Sequence, residues 1–172
     1  SINLSINNSG IYILQGINGS GKSTIIKLIS GIIYKSDGKI FNNLKISYLP
    51  DKFSLPKLMK VNNYLNLLNN NKRMNNILMD KYKIPNKSIC NLSKGNFQKL
   101  GLLQTFNYEA DCYILDEPLD GLDDFAKELV KNEILKLVKN DKIIIMSLHD
   151  ISDFIELKPK IYYVKDGKIN EE

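Results

Sequence analysis

Histidine, cysteine and long apolar runs are scarce in this sequence, and each shortage excludes a class of protein. One histidine, His149, is too few for a metal site built from several imidazoles. The two cysteines, Cys90 and Cys112, lack metal-site spacing and give no sign of an oxidising compartment. Apolar stretches such as residues 142–146 fall far short of the roughly 18 that span a bilayer, and no secretory signal pattern is found. Any work at a membrane would therefore need the helices of a partner.

The overall composition predicts one globular domain over residues 1–172. The contents of 43% hydrophobic and 25% charged residues are ordinary for a soluble protein, and 172 residues are too few for two domains of usual size. The net charge of +5 is a feature that nucleic-acid-binding proteins share. Here the lysines are scattered from end to end rather than clustered, so no nucleic-acid partner is expected.

Short apolar runs and amphipathic segments alternate along the chain. The apolar runs predict strands at residues 11–14, 45–49, 112–115, 143–146 and 161–164, with 168–169 closing a final hairpin around Asp166-Gly167. The amphipathic segments predict helices at residues 23–29, 93–107 and 124–139. This alternation is typical of an α/β fold in which a parallel sheet is covered by helices on both faces.

Two helical regions carry apolar spacing that predicts how they pack. The clearest is residues 124–139, whose inward side is predicted to hold Phe125, Leu129, Val130, Ile134, Leu137 and Val138. Residues 55–87 place apolar side chains at helical spacing among many polar ones, namely Leu65, Leu68, Met74, Ile77 and Leu78. Together with the helix at 93–107, about residues 51–107 are predicted to form a small helical subdomain.

The segment at residues 16–23 reads Gly-Ile-Asn-Gly-Ser-Gly-Lys-Ser and matches the phosphate-binding pattern G-x-x-x-x-G-K-[ST] between a predicted strand and helix. Glycines let successive backbone N–H groups curl around phosphate oxygens, and the helix that follows directs its positive end at the same anion. Lys22 would reach the β- and γ-phosphates, and the Ser23 hydroxyl would bind Mg²⁺. The nucleotide-binding residues predicted here are Gly16, Ile17, Asn18, Gly19, Ser20, Gly21, Lys22, Ser23 and Thr24.

Two acidic residues, Asp116 and Glu117, follow the predicted strand at 112–115. A carboxylate at a strand end beside a phosphate loop can hold Mg²⁺ directly or through water, which is the role predicted for Asp116. Glu117 would then orient an attacking water or accept its proton. Taken alone, the pair fits a solvated helix start equally well, because acidic residues favour that position. The phosphate loop favours the functional interpretation.

Four further motifs resemble those of ATP-binding cassette, or ABC, proteins. Leu92-Ser-Lys-Gly-Asn96 is similar to the family's L-S-G-G-Q signature, and Leu119-Asp-Gly-Leu-Asp123 resembles its D-loop. His149 matches the family's switch histidine, and Lys165-Asp-Gly-Lys-Ile169 resembles its closing turn. With the phosphate loop and the acidic pair, the motifs follow the family's order and cover most of the chain.

The resemblance implies a P-loop ATPase of the ABC type that uses ATP and Mg²⁺. It implies a head-to-tail dimer, of two identical or two different chains, in which each phosphate loop is completed by the other copy's signature. It also implies transmembrane partner subunits, a cytoplasmic position on the inner face of the cell membrane, and, most closely, an exporter. The resemblance assigns Glu117 and His149 to catalysis and further nucleotide contacts to Ser93, Lys94, Gly95, Asn96 and Asp123.

Three departures from the family pattern qualify these expectations. Asp51 stands where the family has its Q-loop glutamine, and it would either bind Mg²⁺ or be a loop residue without a role. Lys94 and Asn96 replace a glycine and the glutamine of the signature, and Lys94 could add positive charge near the γ-phosphate. Only residues 1–15 precede the phosphate loop, which predicts either shortened N-terminal strands or a fragment of a longer protein. No aromatic occurs before Tyr12, and Tyr12 lies in a predicted strand, so no residue is identified to stack on adenine.

Two alternatives to a transporter ATPase remain open at this stage. Asp51 and the short N-terminal stretch are compatible with a non-catalytic nucleotide-binding regulator, although Glu117 and His149 argue for catalysis. An ABC-type ATPase not tied to transport is the other alternative.

Overall fold

The computed structural model describes residues 2–69 and 71–171, and it places six strands in one sheet. The strands are β1 (Gly10–Gln15), β2 (Ile46–Leu49), β3 (Cys112–Asp116), β4 (Ile143–Leu148), β5 (Lys160–Lys165) and β6 (Lys168–Glu171). Their order is β2-β3-β4-β1-β5-β6, and every neighbouring pair is parallel except the β5–β6 hairpin. The predicted α/β fold with a parallel sheet and a closing hairpin is confirmed.

Five α-helices connect or flank these strands. They are α1 (Lys22–Ile29), α2 (Val61–Leu68), α3 (Lys72–Tyr82), α4 (Lys94–Asn107) and α5 (Asp124–Lys139). Short 3-10 turns lie at Ile89–Asn91 and Ile155–Leu157. None of the helices in the described ranges is both long and apolar enough to cross a bilayer.

Both faces of the sheet are covered, because alternate strand residues point to opposite sides. On one face, Tyr113 and Leu115 pack in a cluster with Val130 and Ile134 of α5. On the other, Ile114 packs in a cluster with residues of α1, among them Ile26. The wholly buried strands β3 and β4 therefore carry continuous apolar runs instead of an alternating pattern.

The helices between β2 and β3 have a third apolar cluster, which includes Val61 and Leu65 of α2 and Met79 of α3. Helix α4 joins this cluster through Leu100 and Leu103, whereas its Leu102 packs in the cluster of the sheet. A separate cluster is the packing that a helical subdomain over about residues 51–107 would need, and that division of the chain stays a prediction.

Two predicted helix faces differ from the structure. Phe125 was expected to point inward on α5, but it is 47% exposed with the Lys83 ammonium 4.1 Å from its ring centre. The buried stripe of α5 is narrower, and it is formed by Ala126, Val130 and Ile134 at a spacing of four residues. Because the small Ala126 occupies the inward position of the first turn, the neighbouring Phe125 lies at the edge of the contact.

Helix α3 also turns a different side to the core. Met74 and Ile77 are about half exposed, and the buried residues are Asn75, Met79 and Tyr82. Asn75 can be buried because its amide donates to Asn66 Oδ1 at 2.8 Å, closing the connection between α2 and α3.

The sheet order brings together the loops that carry chemistry. Strands β1 and β3 both pair in parallel with β4, which lies between them, so the carboxyl ends of all three lie at the same edge of the sheet. The phosphate loop, the acidic pair and His149 follow these three ends, where ligands of open α/β sheets usually bind.

Candidate active site

The phosphate loop has the backbone that an anion cradle needs. Gly19 and Gly21 have φ values of +80° and +107°, which side-chain-bearing residues rarely adopt. Gly16 has no room for a side chain, since a Cβ there would lie 2.4 Å from the Val164 carbonyl oxygen. The turn at Asp166-Gly167 contacts the phosphate loop, because the Gly167 N–H donates to the Ser20 carbonyl at 3.1 Å.

Helix α1 and Lys22 supply positive charge to this cradle. The helix begins after Gly21 with no side-chain cap and no acidic residue in its first turn, so its N-terminal N–H groups favour an anionic ligand. The Lys22 ammonium lies over the loop and donates to the carbonyls of Gly16 at 2.8 Å and Ile17 at 3.3 Å. The side chain is thereby aligned along the path that phosphate oxygens would follow.

Asp116 is an almost fully buried carboxylate, 1% exposed, held by two serine hydroxyls. Ser23 Oγ donates to its Oδ1 at 3.2 Å, and Ser147 Oγ donates to the same oxygen at 2.5 Å. Ser23 and Asp116 are hard oxygen donors, the type that Mg²⁺ prefers. In the described part of the chain, no three His, Cys, Asp or Glu side chains form a complete metal cage. This fits Mg²⁺, which usually takes one or two carboxylates beside water and substrate phosphates.

Glu117 has a strained backbone and a perturbed carboxyl group. Its φ of +51° is left-handed, and its N–H donates to Ser147 Oγ at 3.0 Å. Its Oε1 lies 3.3 Å from His149 Nε2. Burial raises the pKa of Glu117, and the neighbouring His149 and Lys22 charges oppose that shift. A carboxylate with a raised pKa in a cleft is a good candidate for accepting or orienting the proton of a water molecule.

Lys22, Ser23, Glu117 and His149 line one open cavity of about 680 Å³, whereas the buried Asp116 lies behind Ser23 and is not part of its lining. Of the residues predicted from the sequence, it contains Asn18, Gly19, Gly21, Lys22, Ser23, Thr24, Asp51, Glu117 and His149. Leu119, Asp120, Lys127, Leu148, Asp150 and Asp153 complete the lining and were not predicted. Asp51 comes directly after Pro50 at the end of β2, which explains how a residue distant in sequence reaches this cavity.

The signature residues lie outside this cavity. Ser93 caps α4 by accepting the Asn96 N–H at 3.3 Å. A Cβ on Gly95 would lie 2.6 Å from the Gly121 carbonyl oxygen, so glycine is required where α4 meets the D-loop. Lys94 pairs with Asp120 at 2.7 Å within the same chain. The structure therefore brings much of the phosphate loop, Asp51, Glu117 and His149 together in one cavity. The signature residues do not line that cavity, although Lys94 pairs with Asp120 of its lining.

Residues 1–120 match the profile of the ABC transporter family, which is more than half of the chain. The chain belongs to the ABC transporter family. This ABC protein is similar to the cytochrome c biogenesis ATP-binding export protein CcmA of Reclinomonas americana, with 36% identity over 172 aligned residues. The alignment covers 87% of this chain and 77% of that relative. It is 30% identical over 192 residues to the zinc import ATP-binding protein ZnuC of a Wolbachia from Brugia malayi, covering 99% and 78%. Its share of a relative's length is lower in other cases, at 64% for an uncharacterized ATP-binding protein of Methanocaldococcus jannaschii and 57% for the ZnuC of Rickettsia conorii.

A solved structure supports the fold of this ABC protein. The dimeric ATP-binding cassette MJ0796, in a post-hydrolysis state bound to ADP and Pi, superposes with a TM-score of 0.87 at 21% identity. The match covers 99% of this chain and 88% of that one. At this identity the likeness establishes the α/β cassette fold.

Two further residues, which support this ABC site from outside the cavity lining, were also missed by sequence reasoning. Ser147 bonds both acidic residues, and Gln98 donates to the carbonyl of Pro118 at 3.2 Å, which holds the turn after β3. Gln98 lies on α4 shortly after the signature. A polar amide among the apolar residues of that predicted helix is the signal that could have identified it, because a buried amide needs a hydrogen-bond partner. Ser147 gave no such signal, because its role depends on the pairing of β3 with β4.

Proposed function

We propose that the chain is the ATP-hydrolysing subunit of an ABC transporter and that it acts as a dimer. The observation that carries the proposal is the single cavity that joins an anion cradle to Glu117 and His149. Family membership and the ATP-binding names of its relatives agree with this function.

The reaction proposed for this cavity is attack of water on the γ-phosphorus of ATP. The bond between the γ-phosphorus and the β–γ bridging oxygen breaks, giving ADP and phosphate. Lys22 and the α1 N-terminus bind the phosphates and offset their charge. Glu117 orients the water and accepts its proton, and His149, which is 3.3 Å from Glu117, contacts the γ-phosphate.

Ser23 and Asp116, with Asp51 at the cavity wall, are the residues that would hold Mg²⁺. When bound, the ion neutralises negative charge on the β- and γ-phosphate oxygens. Asp116 accepts hydrogen bonds from two serine hydroxyls, and one of these serines, Ser23, lies in the first turn of α1.

The dimer is proposed because the signature is separated from the phosphate loop of its own chain. Residues 93–96 and Asp123 of a second copy would complete each nucleotide site, as the resemblance implies. The neighbour MJ0796 is dimeric, which agrees with this arrangement. The helical subdomain, about residues 51–107, would transmit opening and closing to transmembrane partners through the segment from Asp51 to Tyr64.

The cellular setting is also part of the proposal. We place the subunit in the cytoplasm, on the inner face of the membrane, beside its transmembrane partners. Export is the proposed direction, on the likeness of residues 48–51 and 115–123 to exporter ATPases. One relative is named for export and another for import. The test of direction is therefore transport in vesicles that contain the chain with its transmembrane partners.

The ATPase and dimer proposals are tested together with the Glu117→Gln variant. We expect wild-type turnover of ATP, a loss of at least about 100-fold in kcat for the variant, and an ATP-stabilised dimer that the variant retains. Steady-state phosphate release and light scattering with and without ATP measure these quantities. A wild type that dimerises with ATP but shows no turnover would overturn the motor function and support the non-catalytic regulator.

A further inference from the structure

We propose that Ser147 is a positioning residue of ATP hydrolysis, whose hydroxyl holds Asp116 and Glu117 in the arrangement that each requires. The inference rests on the ATPase function proposed above. It adds to that function a residue that acts through the two carboxylates and does not itself touch ATP.

The position of Ser147 is set by the pairing of two buried strands. Ser147 is 0% exposed near the end of β4, and its Cα is the register partner of Asp116 at the end of β3. Its hydroxyl donates to Asp116 Oδ1 at 2.5 Å and accepts the Glu117 N–H at 3.0 Å. One hydroxyl thus bonds both members of the acidic pair. Donation to a carboxylate also makes its oxygen a stronger acceptor for the amide.

On the Asp116 side, the hydroxyl holds a buried carboxyl group in place. Asp116 is 1% exposed, and a buried carboxylate is tolerated only when hydrogen bonds replace its lost hydration. Ser23 Oγ, 3.2 Å from Oδ1, is the other hydroxyl donor, and it belongs to the phosphate-binding segment itself. Ser147 belongs to the sheet, so it can hold the carboxylate in place while Ser23 changes its contacts with a ligand.

On the Glu117 side, the serine fixes a backbone that would otherwise relax. A left-handed φ of +51° at a glutamate persists only where the surroundings hold it. Ser147 supplies two acceptors for the Glu117 N–H, its hydroxyl at 3.0 Å and its carbonyl at 3.3 Å. The side chain that emerges from this held backbone lies 3.3 Å from His149. The direction of the Glu117 carboxylate therefore depends on the bond to Ser147.

A purely structural serine is the competing explanation, and Ser47 is its matched example. Ser47 lies on β2 of the same sheet, is 6% exposed, and donates its hydroxyl to the Thr105 carbonyl at 2.8 Å. Its hydroxyl thus bonds a carbonyl of α4 and not a member of the acidic pair. If burial of a bonded hydroxyl were the only role of Ser147, replacing either serine by alanine would lower the stability of the fold. Neither replacement would then change kcat.

The experiment compares Ser147→Ala with Ser47→Ala in the full chain. We expect kcat at saturating ATP and Mg²⁺ to fall about 10–100-fold in Ser147→Ala, because both carboxylates lose the hydroxyl that positions them. Ser47→Ala retains wild-type kcat, and Ser147→Thr, which keeps the hydroxyl, recovers most of the loss. Thermal unfolding of each variant reports its stability separately.

A second measurement does not depend on turnover. ATP affinity is measured at equilibrium with Mg²⁺ and with EDTA. We expect Ser147→Ala to match the wild type in EDTA and to gain less affinity from Mg²⁺, because its Asp116 carboxylate is less firmly held. A wild type without turnover would refute the ATPase function, and this binding comparison would still decide the role of Ser147. A kcat and a Mg²⁺ gain in Ser147→Ala equal to those of Ser47→Ala would overturn the inference.

Discussion

At the scale of the residue, the neighbours of Glu117 have opposite effects on the pKa of its carboxyl group. Burial raises its pKa most, and Asp116 and Asp51 raise it further, while His149 and Lys22 lower it. The carboxyl group thus remains a stronger base than an ordinary glutamate and still has cationic neighbours that favour its ionised form. This balance suits a group that must take a proton from water and release it again.

The pKa of Glu117 gives a prediction that needs no turnover. In NMR titration of ¹³C-labelled glutamates, with the signal assigned by Glu117→Gln, we expect the Glu117 carboxyl to titrate above its ordinary value of 4.5. His149→Ala removes a neighbour that lowers this pKa, so the titration should move to still higher pH. Cys90→Ser, at an exposed residue outside the cavity, serves as the control. A titration in His149→Ala that moves to lower pH would contradict the assignment.

At the scale of the element, α4, the D-loop and α5 are tied into one unit. Lys94 pairs with Asp120, and Lys99, whose side chain is 6% exposed, pairs with Asp123 at 3.3 Å. The sequence suggested that Lys94 adds charge near the γ-phosphate, whereas in this chain its ammonium is engaged by the D-loop. Asp123 also accepts the Ala126 N–H at 2.7 Å and so caps α5. A shift of the signature helix would therefore carry the D-loop and the start of α5 with it.

Asp123 offers a test that separates its cap from its ion pair. Asp123→Ala should lower the free energy of unfolding by about 1 kcal/mol from the lost cap, and further by leaving the buried Lys99 unpaired. Asp123→Asn keeps an accepting oxygen for the cap and removes only the charge, so its cost should be smaller. Urea unfolding at neutral pH measures both differences.

The pH dependence of the free energy of unfolding tests whether the negative charge of Asp123 stabilises the fold. The Ala126 N–H, helped by Lys99, lowers the pKa of Asp123 below 3.8. A lowered carboxyl pKa contributes stability that is present above 3.8 and is lost as the pH falls through the folded value. The gap in stability between wild type and Asp123→Asn should therefore close on acidification. A gap that is constant across this range would show that ionisation of the Asp123 carboxyl group contributes no stability.

At the scale of the whole molecule, the cavity beside the phosphate loop does not include the signature residues of the same chain. The cavity holds Lys22, Glu117 and His149, whereas Ser93 and Gly95 lie outside it. Such a division is explained by a head-to-tail dimer in which each chain supplies half of two sites. In such a dimer, a chain with a defective phosphate loop and a chain with a defective signature must together form one intact site.

Mixing two inactive variants tests whether their chains complement each other. Lys22→Ala disables the phosphate loop and Ser93→Arg disables the signature, so each variant alone should be inactive. In an equal mixture, half of the dimers combine both chains and contain one intact site, which predicts about a quarter of wild-type turnover. Steady-state phosphate release over a range of mixing ratios measures it. A mixture no more active than its components, despite dimer formation with ATP, would contradict the shared site.

The local chemistry of this protein was determined by its sequence. The phosphate loop needs glycines at fixed positions and a helix directly after it, and both requirements are written in consecutive residues 16–29. Strand and helix periods, and the N-caps Ser93 and Asp123, are equally local. Local patterns did not settle which side of a helix is buried, as Phe125 on α5 and Asn75 on α3 show.

The tertiary structure decided what depends on strand order. Asp116 and Ser147 are brought into register only because β3 pairs with β4, and Asp51 reaches the cavity only because β2 ends at the same edge. The raised pKa of Glu117 and the separation of the signature from the phosphate loop likewise arise from packing between distant segments. A sequence names the groups that can do chemistry, but hydrogen bonds and burial depend on distances in space, which the fold alone sets.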